Sequence, residues 1–205
     1  MKEKYYFKIL ALLLTFFTSM TVVNADVEQT ITVYTNVPTY ATITKSNSSV
    51  EHNTLNATTG VHSGLSSVFN IETNGSDENY DLIMTSYIEL DNDTVSAYGD
   101  DGRILFVHTT HPPTLQAVNN AKAGEVSNKN VIAYPTSISA TNGITSEFKV
   151  DDPTYGNCYT IKLNNATSGN VTHNVLGTPS SNTYRVDEDM QGDYKAFLRF
   201  TLIGK

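Results

Sequence analysis

Val27-Glu28-Gln29-Thr30-Ile31-Thr32-Val33-Tyr34-Thr35-Asn36-Val37-Pro38 is the stretch on which the fold turns. Val27, Ile31, Val33 and Val37 fall on one face of an extended chain, with Gln29 and Thr35 between them. Glu28, Thr30, Thr32 and Asn36 fall on the other face, and Tyr34 is its one amphipathic member. Side chains of a strand alternate between faces, so this period of two predicts a strand with one buried side. Pro38 ends it, because proline offers no ladder donor and fixes the chain direction.

The strand follows directly on a targeting signal. Lys2, Lys4 and Lys8 make a positive start, Ile9 to Phe17 is a short apolar run, and Val23-Asn24-Ala25 suits a signal peptidase. The apolar run is too short to span a bilayer with margin. Residues 1–25 are therefore expected to be a signal peptide, removed to leave an exported chain that begins at Asp26. A strand placed so close to a new terminus is unusual, since termini fray unless something ties them down.

The other end has a matching pattern. Tyr194, Ala196, Leu198, Phe200 and Leu202 share one face of an expected strand over Tyr194 to Ile203, while Lys195, Phe197, Arg199, Thr201 and Ile203 share the other. The first set is apolar or aromatic throughout and should face a core. Only Gly204-Lys205 follow, so one side of this strand is expected to lack a partner.

Between the ends, turn residues recur at short intervals: Asn74-Gly75, Gly99-Asp100-Asp101-Gly102, Pro112-Pro113, Asn142-Gly143, Asp152-Pro153, Ser168-Gly169-Asn170 and Gly177-Thr178-Pro179. They bound runs of β-type composition at Ser67 to Glu72, Tyr80 to Leu90, Arg103 to His108, Val131 to Ile138, Ile144 to Val150 and Cys158 to Leu163. Thr114 to Lys122 has room for one or two helical turns. The pattern reads as an all-β antiparallel sandwich with polar loops, in one domain with a sizeable core.

Charge and cysteine content narrow the function classes. Of the 13 Lys and Arg and 21 Asp and Glu, the leader carries three and one, so the mature chain holds 10 against 20, a formal net charge of −10. That balance opposes nucleic acid or an anionic membrane as a direct partner. Cys158 is the only cysteine and closes no internal bridge. A buried small hydrophobe is the expected role for it.

No catalytic or metal centre emerges. His108 and His111 are three apart, on opposite faces of a strand, with no third ligand nearby. Leu90-Asp91-Asn92-Asp93-Thr94 and Gly99-Asp100-Asp101-Gly102 lack the glycine and terminal glutamate of an EF-hand loop and read as solvated turns. Asp187-Glu188-Asp189 reads as a solvated loop. No Gly-x-Ser-x-Gly elbow places a nucleophile. Neither an enzyme nor a cofactor is expected.

The two ends resemble those of the colonisation-factor pilins, the major fimbrial subunits of enterotoxigenic bacteria assembled by the alternate chaperone–usher pathway. Mature chains of that family begin with Val-Glu, two polar residues, Ile-Thr-Val, and a further Val before a proline. Val27, Glu28, Ile31, Thr32, Val33 and Val37 occupy those places, and Gly192-Asp193-Tyr194 resembles the start of the family's closing strand. The solitary Cys158 matches a branch without a disulfide. Pro38 follows Val37 directly, where the family has one residue between, and the chain is longer than a typical major subunit.

The resemblance implies an incomplete immunoglobulin-like sandwich over residues 38–205, completed by a donor strand from another subunit. Residues 26–37 would be that extension, with Val27, Ile31, Val33 and Val37 as its plugs. Ala196, Leu198, Phe200 and Leu202 would line the acceptor groove, and the carboxylate of Lys205 would anchor in a chaperone's basic cleft. The implied partners are other pilin subunits in a head-to-tail homopolymer, a periplasmic chaperone, an outer-membrane usher, a tip adhesin and the host cell surface. The implied location is a cell-surface fimbria reached through the periplasm. Two alternatives stay open: a minor or tip pilin that binds a host glycan or receptor, and a secreted sandwich that never polymerises.

Overall fold

Strands Leu65–Thr73, Tyr80–Leu90 and Ser168–Val175 show the alternating burial expected of a sandwich, while the short strand Val131–Tyr134 is buried on both faces. The computed structural model describes residues 40–47, 51, 53–75, 79–125, 129–180 and 183–205, all within one compact unit, Pro38–Lys205. The leader and the strand bearing Val27, Ile31, Val33 and Val37 lie outside the described residues. In chain order the strands are β1 (Ala41–Lys45), β2 (Leu65–Thr73), β3 (Tyr80–Leu90), β4 (Asp93–Ser96), β5 (Ile104–His108), β6 (Val131–Tyr134), β7 (Thr136–Ala140), β8 (Thr145–Asp152), β9 (Gly156–Lys162), β10 (Ser168–Val175), β11 (Tyr194–Lys195) and β12 (Phe197–Gly204). Among the described residues one helix, α1 (Leu115–Lys122), joins β5 to β6.

The strands form an all-β, sandwich-like fold of antiparallel ladders. One sheet has the order β1-β2-β10-β7, a second the order β12-β3-β9-β8, and a small third the order β11-β5-β6. β4 pairs with the far end of β3, from Leu90↔Asp93 to Tyr87↔Ser96. In the first sheet, Val171, His173 and Val175 of β10 point inward, beside Phe69 and Ile71 of β2. In the second, Leu82, Met84, Ser86 and Ile88 of β3 do the same. These rows share one core with Leu105, Val107, Ile132 and Val118. Full burial of each such aliphatic side chain contributes about 1.5–3 kcal/mol, which is how a chain without an internal disulfide holds together.

Local chemistry explains the punctuation. The Thr114 hydroxyl accepts from Ala117 N at 3.2 Å and caps α1, whose Val118 and Ala121 are buried. Asp152 Oδ1 accepts from Thr154 N and Tyr155 N, building the β8–β9 turn. None of the described helices is long and apolar enough to cross a membrane.

Three expectations need correction. The run Val131 to Ile138 is not one strand: Pro135 breaks it, so β6 joins the third sheet and β7 the first. Proline supplies no ladder donor, and the chain changes sheets there. The run Tyr194 to Ile203 breaks at Ala196, sending β11 to β5 and β12 to β3. Ser168-Gly169-Asn170 is not a turn but the start of β10, paired with β2 and lying between β2 and β7. Pairing within a sheet overrides the poor strand propensity of Ser, Gly and Asn.

Candidate strand-acceptor edge

β12 carries most of the residues that, by the family resemblance, would line a groove. It pairs with β3 along its whole length, from Phe197↔Tyr87 to Gly204↔Tyr80. Among the described residues no strand pairs with its other side. The backbone N–H and C=O groups along that side form, among the described residues, an open ladder edge, the surface on which a sheet accepts another strand.

Leu198, Phe200 and Leu202 are the inward row of β12, opposite Ser86, Met84 and Leu82 of β3. Those β3 residues are buried, at 2%, 0% and 2% exposure, whereas the three on β12 are only half-buried. The difference tracks position in the sheet. Among the described residues β3 has neighbours on both sides, while β12 has one. Phe200 meets Phe69 of the first sheet edge to face at 5.4 Å, so the row faces the core rather than solvent. Ala196 is half-buried at the break that leads into β12, and it too packs on the core.

The opposite face of β12 holds the strand in place. Phe197 stacks on Tyr87 at 4.7 Å with their planes 9° apart. Arg199 lies over Tyr87 and Lys195 over Phe197, each at 4.9 Å from the ring centre. Lys195 Nζ donates to Glu89 Oε2 at 2.9 Å, and Ser86 Oγ donates to the Phe197 carbonyl at 2.9 Å. Charged side chains on an edge strand's exposed face oppose unspecific stacking of sheets. Lys205 is exposed at the end of the strand; its N–H donates to Asn79 O at 2.9 Å and its Nζ lies 3.1 Å from Asp81 Oδ1.

β1 is the outer strand of the first sheet, and it approaches β12. The two edges therefore lie on the same side of the sandwich, with half-buried Ile43 of β1 packed on the same core. β1 is absent from the sequence expectations. Its run of Thr42, Ile43 and Thr44 is β-branched, a signal that the polar stretch after it masks.

The residues with chemical side chains settle elsewhere. Cys158 is buried in β9, and burial pushes its thiol pKa up. His108 is buried; its Nδ1 accepts from Thr110 N at 3.2 Å and His111 N at 3.1 Å, which folds the two histidines into one turn. No group of three potential metal ligands occurs among the described residues. Asp189 departs from the expected solvated loop: its carboxylate accepts from Asn130 N at 2.8 Å and Arg185 N at 2.7 Å, and burial raises its pKa.

The chain matches no protein-family model, and neither a curated protein nor a solved structure matches it.

Proposed function

We propose that this chain is a fimbrial subunit that polymerises by donor-strand exchange, its residues 26–37 completing the sheet of the next copy at the open side of β12. The observation that carries this reading is the edge of β12, unpaired among the described residues, beside a half-buried row of Leu198, Phe200 and Leu202. Strand order supports it. In this reading β1, β2, β10 and β7 would take the places of strands A, B, E and D, and β12 and β3 those of F and C, with the β8–β9 hairpin an addition to the immunoglobulin-like order. Strand G of that pattern belongs beyond F, on the open side of β12. The alternation of Val27, Ile31, Val33 and Val37 supplies a strand with one apolar face for that place.

The energies are of the right size. Four plugs contribute roughly 6–12 kcal/mol as an upper estimate, and each ladder hydrogen bond adds about 0.5–1.5 kcal/mol. A typical domain is stable by about 5–15 kcal/mol, so the donated strand acts as part of the fold. The contact is heterologous and does not close, which gives filaments with an exposed groove at one end. A periplasmic chaperone would cover β12 before assembly and an outer-membrane usher would exchange it. The filament would then support adhesion to host cells.

Deleting residues 26–37 tests the reading. The shortened chain should still bind the chaperone through β12 yet form no fibres by electron microscopy. Fibres of normal length from the shortened chain would refute it.

A further inference from the structure

A cavity of about 680 Å³ opens between the segment around His62, the β5–β6 ladder and the loop Thr183–Asp193. That volume lies within the range of about 300–1,000 Å³ for small-ligand sites. No residue of β12 lines it, and nothing below depends on strand donation.

Three tyrosines shape the cavity, and their hydroxyls are already used. Tyr134 Oη donates to Gly60 O at 2.7 Å, Tyr184 Oη donates to Ala57 O, and Tyr194 Oη donates to Met190 O at 3.0 Å. Each ring is thereby tethered at its far end: buried Tyr134 backs the cavity, while half-buried Tyr184 and Tyr194 present carbon rather than oxygen. Gly60, at φ +68°, lies so close to Tyr184 that a Cβ there would come within 2.6 Å of the ring. The aromatic surfaces are held before any ligand arrives, which spares a ligand the cost of ordering them.

The polar groups beside the rings are of both kinds. His62 Nδ1 accepts from Gly64 N at 2.8 Å, so the neutral ring carries its proton on Nε2 and offers a donor. Burial lowers the pKa of His62, which favours the neutral ring. Asp189 uses one lone pair on each carboxylate oxygen for Asn130 N and Arg185 N, and keeps the others as acceptors. The amide of Gln191 supplies both. No Lys or Arg lines the cavity, whereas Glu51, Asp189 and Asp193 do.

We propose that this cavity binds a neutral hexose unit of a glycan. A pyranose has a flat face of C–H groups for the tyrosine rings and hydroxyls that both donate and accept. An anionic sugar would meet three carboxylates and no Lys or Arg. A small cation would suit the rings and carboxylates but would leave the His62 donor unanswered.

Saturation-transfer NMR on the mature chain tests this with the methyl pyranosides of galactose, glucose, mannose, N-acetylgalactosamine and N-acetylglucosamine. N-acetylneuraminic acid and choline serve as anionic and cationic probes. At least one neutral pyranoside should bind with a Kd on the order of 1 mM. Tyr184→Leu and Gln191→Ala should each weaken it several-fold while circular dichroism stays unchanged. Gln191 is exposed, so its variant decides the question if Tyr184→Leu fails to fold. Absence of binding by every neutral pyranoside, tighter binding of choline or N-acetylneuraminic acid, or unchanged affinity in Gln191→Ala would each overturn the proposal. Fibre formation reads the strand-exchange reading separately.

Discussion

His173 is the residue at which solvent pH reaches the core. It is 2% exposed, and its Nε2 lies 2.9 Å from Tyr98 Oη. Burial depresses its pKa from 6.5 to about 4. Between those values the unfolded chain holds a proton that the fold does not, so stability rises with pH across this window. The contribution is complete above 6.5, and roughly 3 kcal/mol of it is lost as pH falls to 4. His173→Gln keeps a partner for Tyr98 and removes the titration. In urea unfolding at several pH values, the gap between wild type and variant should narrow as pH falls from 7 to 4.5; parallel slopes would sink the assignment. Cys158 gives a second residue-scale expectation. Its thiol is buried with a raised pKa, so Ellman's reagent at pH 8 should leave the native chain unlabelled and react fully in urea.

Elements were legible where composition or alternation was strong and local. The 11 residues of β3 run between the bounds read from composition, because Tyr, Ile, Leu and Met with Thr85 give the run its β-type character. β10 was not legible, because Ser-Gly-Asn reads as a turn until β2 and β7 supply partners on both sides. The row Leu198, Phe200, Leu202 was legible by alternation. Its partner β3 and the facing edge β1 were not, since each lies more than 100 residues away in the chain, and no local pattern encodes such pairings. The sugar-sized cavity escaped for the same reason, being assembled from separate segments. Gly177 shows how tightly such segments meet. His62 N donates to its carbonyl at 2.8 Å, and a Cβ at Gly177 would lie 2.0 Å from the His62 carbonyl oxygen. Backbone cannot yield as a side-chain end does, so Gly177→Ala should cost about 1–3 kcal/mol or more. Gly204 has open space around it, and Gly204→Ala should stay within about 0.5 kcal/mol of wild type. Urea midpoints compare the two, and equal losses would refute the close-approach argument.

For the whole molecule, the question is how much of the core is finished within one copy. A fully buried phenylalanine cut to alanine costs about 3–5 kcal/mol. Phe200 faces the core and touches Phe69, yet it is only half-buried because β12 ends its sheet. In a chain lacking residues 26–37, Phe200→Ala should therefore fall below that range. A synthetic peptide of residues 26–37 that docks on β12 would cover the row, strengthen the Phe200 contacts and bring the loss up into it. The peptide should accordingly stabilise wild type more than Phe200→Ala, in proportion to RT ln(1 + [L]/Kd) for each. It should also raise the denaturant slope, since more surface is exposed on unfolding the complex. A peptide with Val33→Asp places a charge among apolar neighbours and should lose most of the effect. Equal stabilisation of wild type and Phe200→Ala would mean that the peptide binds elsewhere, and the open side of β12 would then be an ordinary sheet edge.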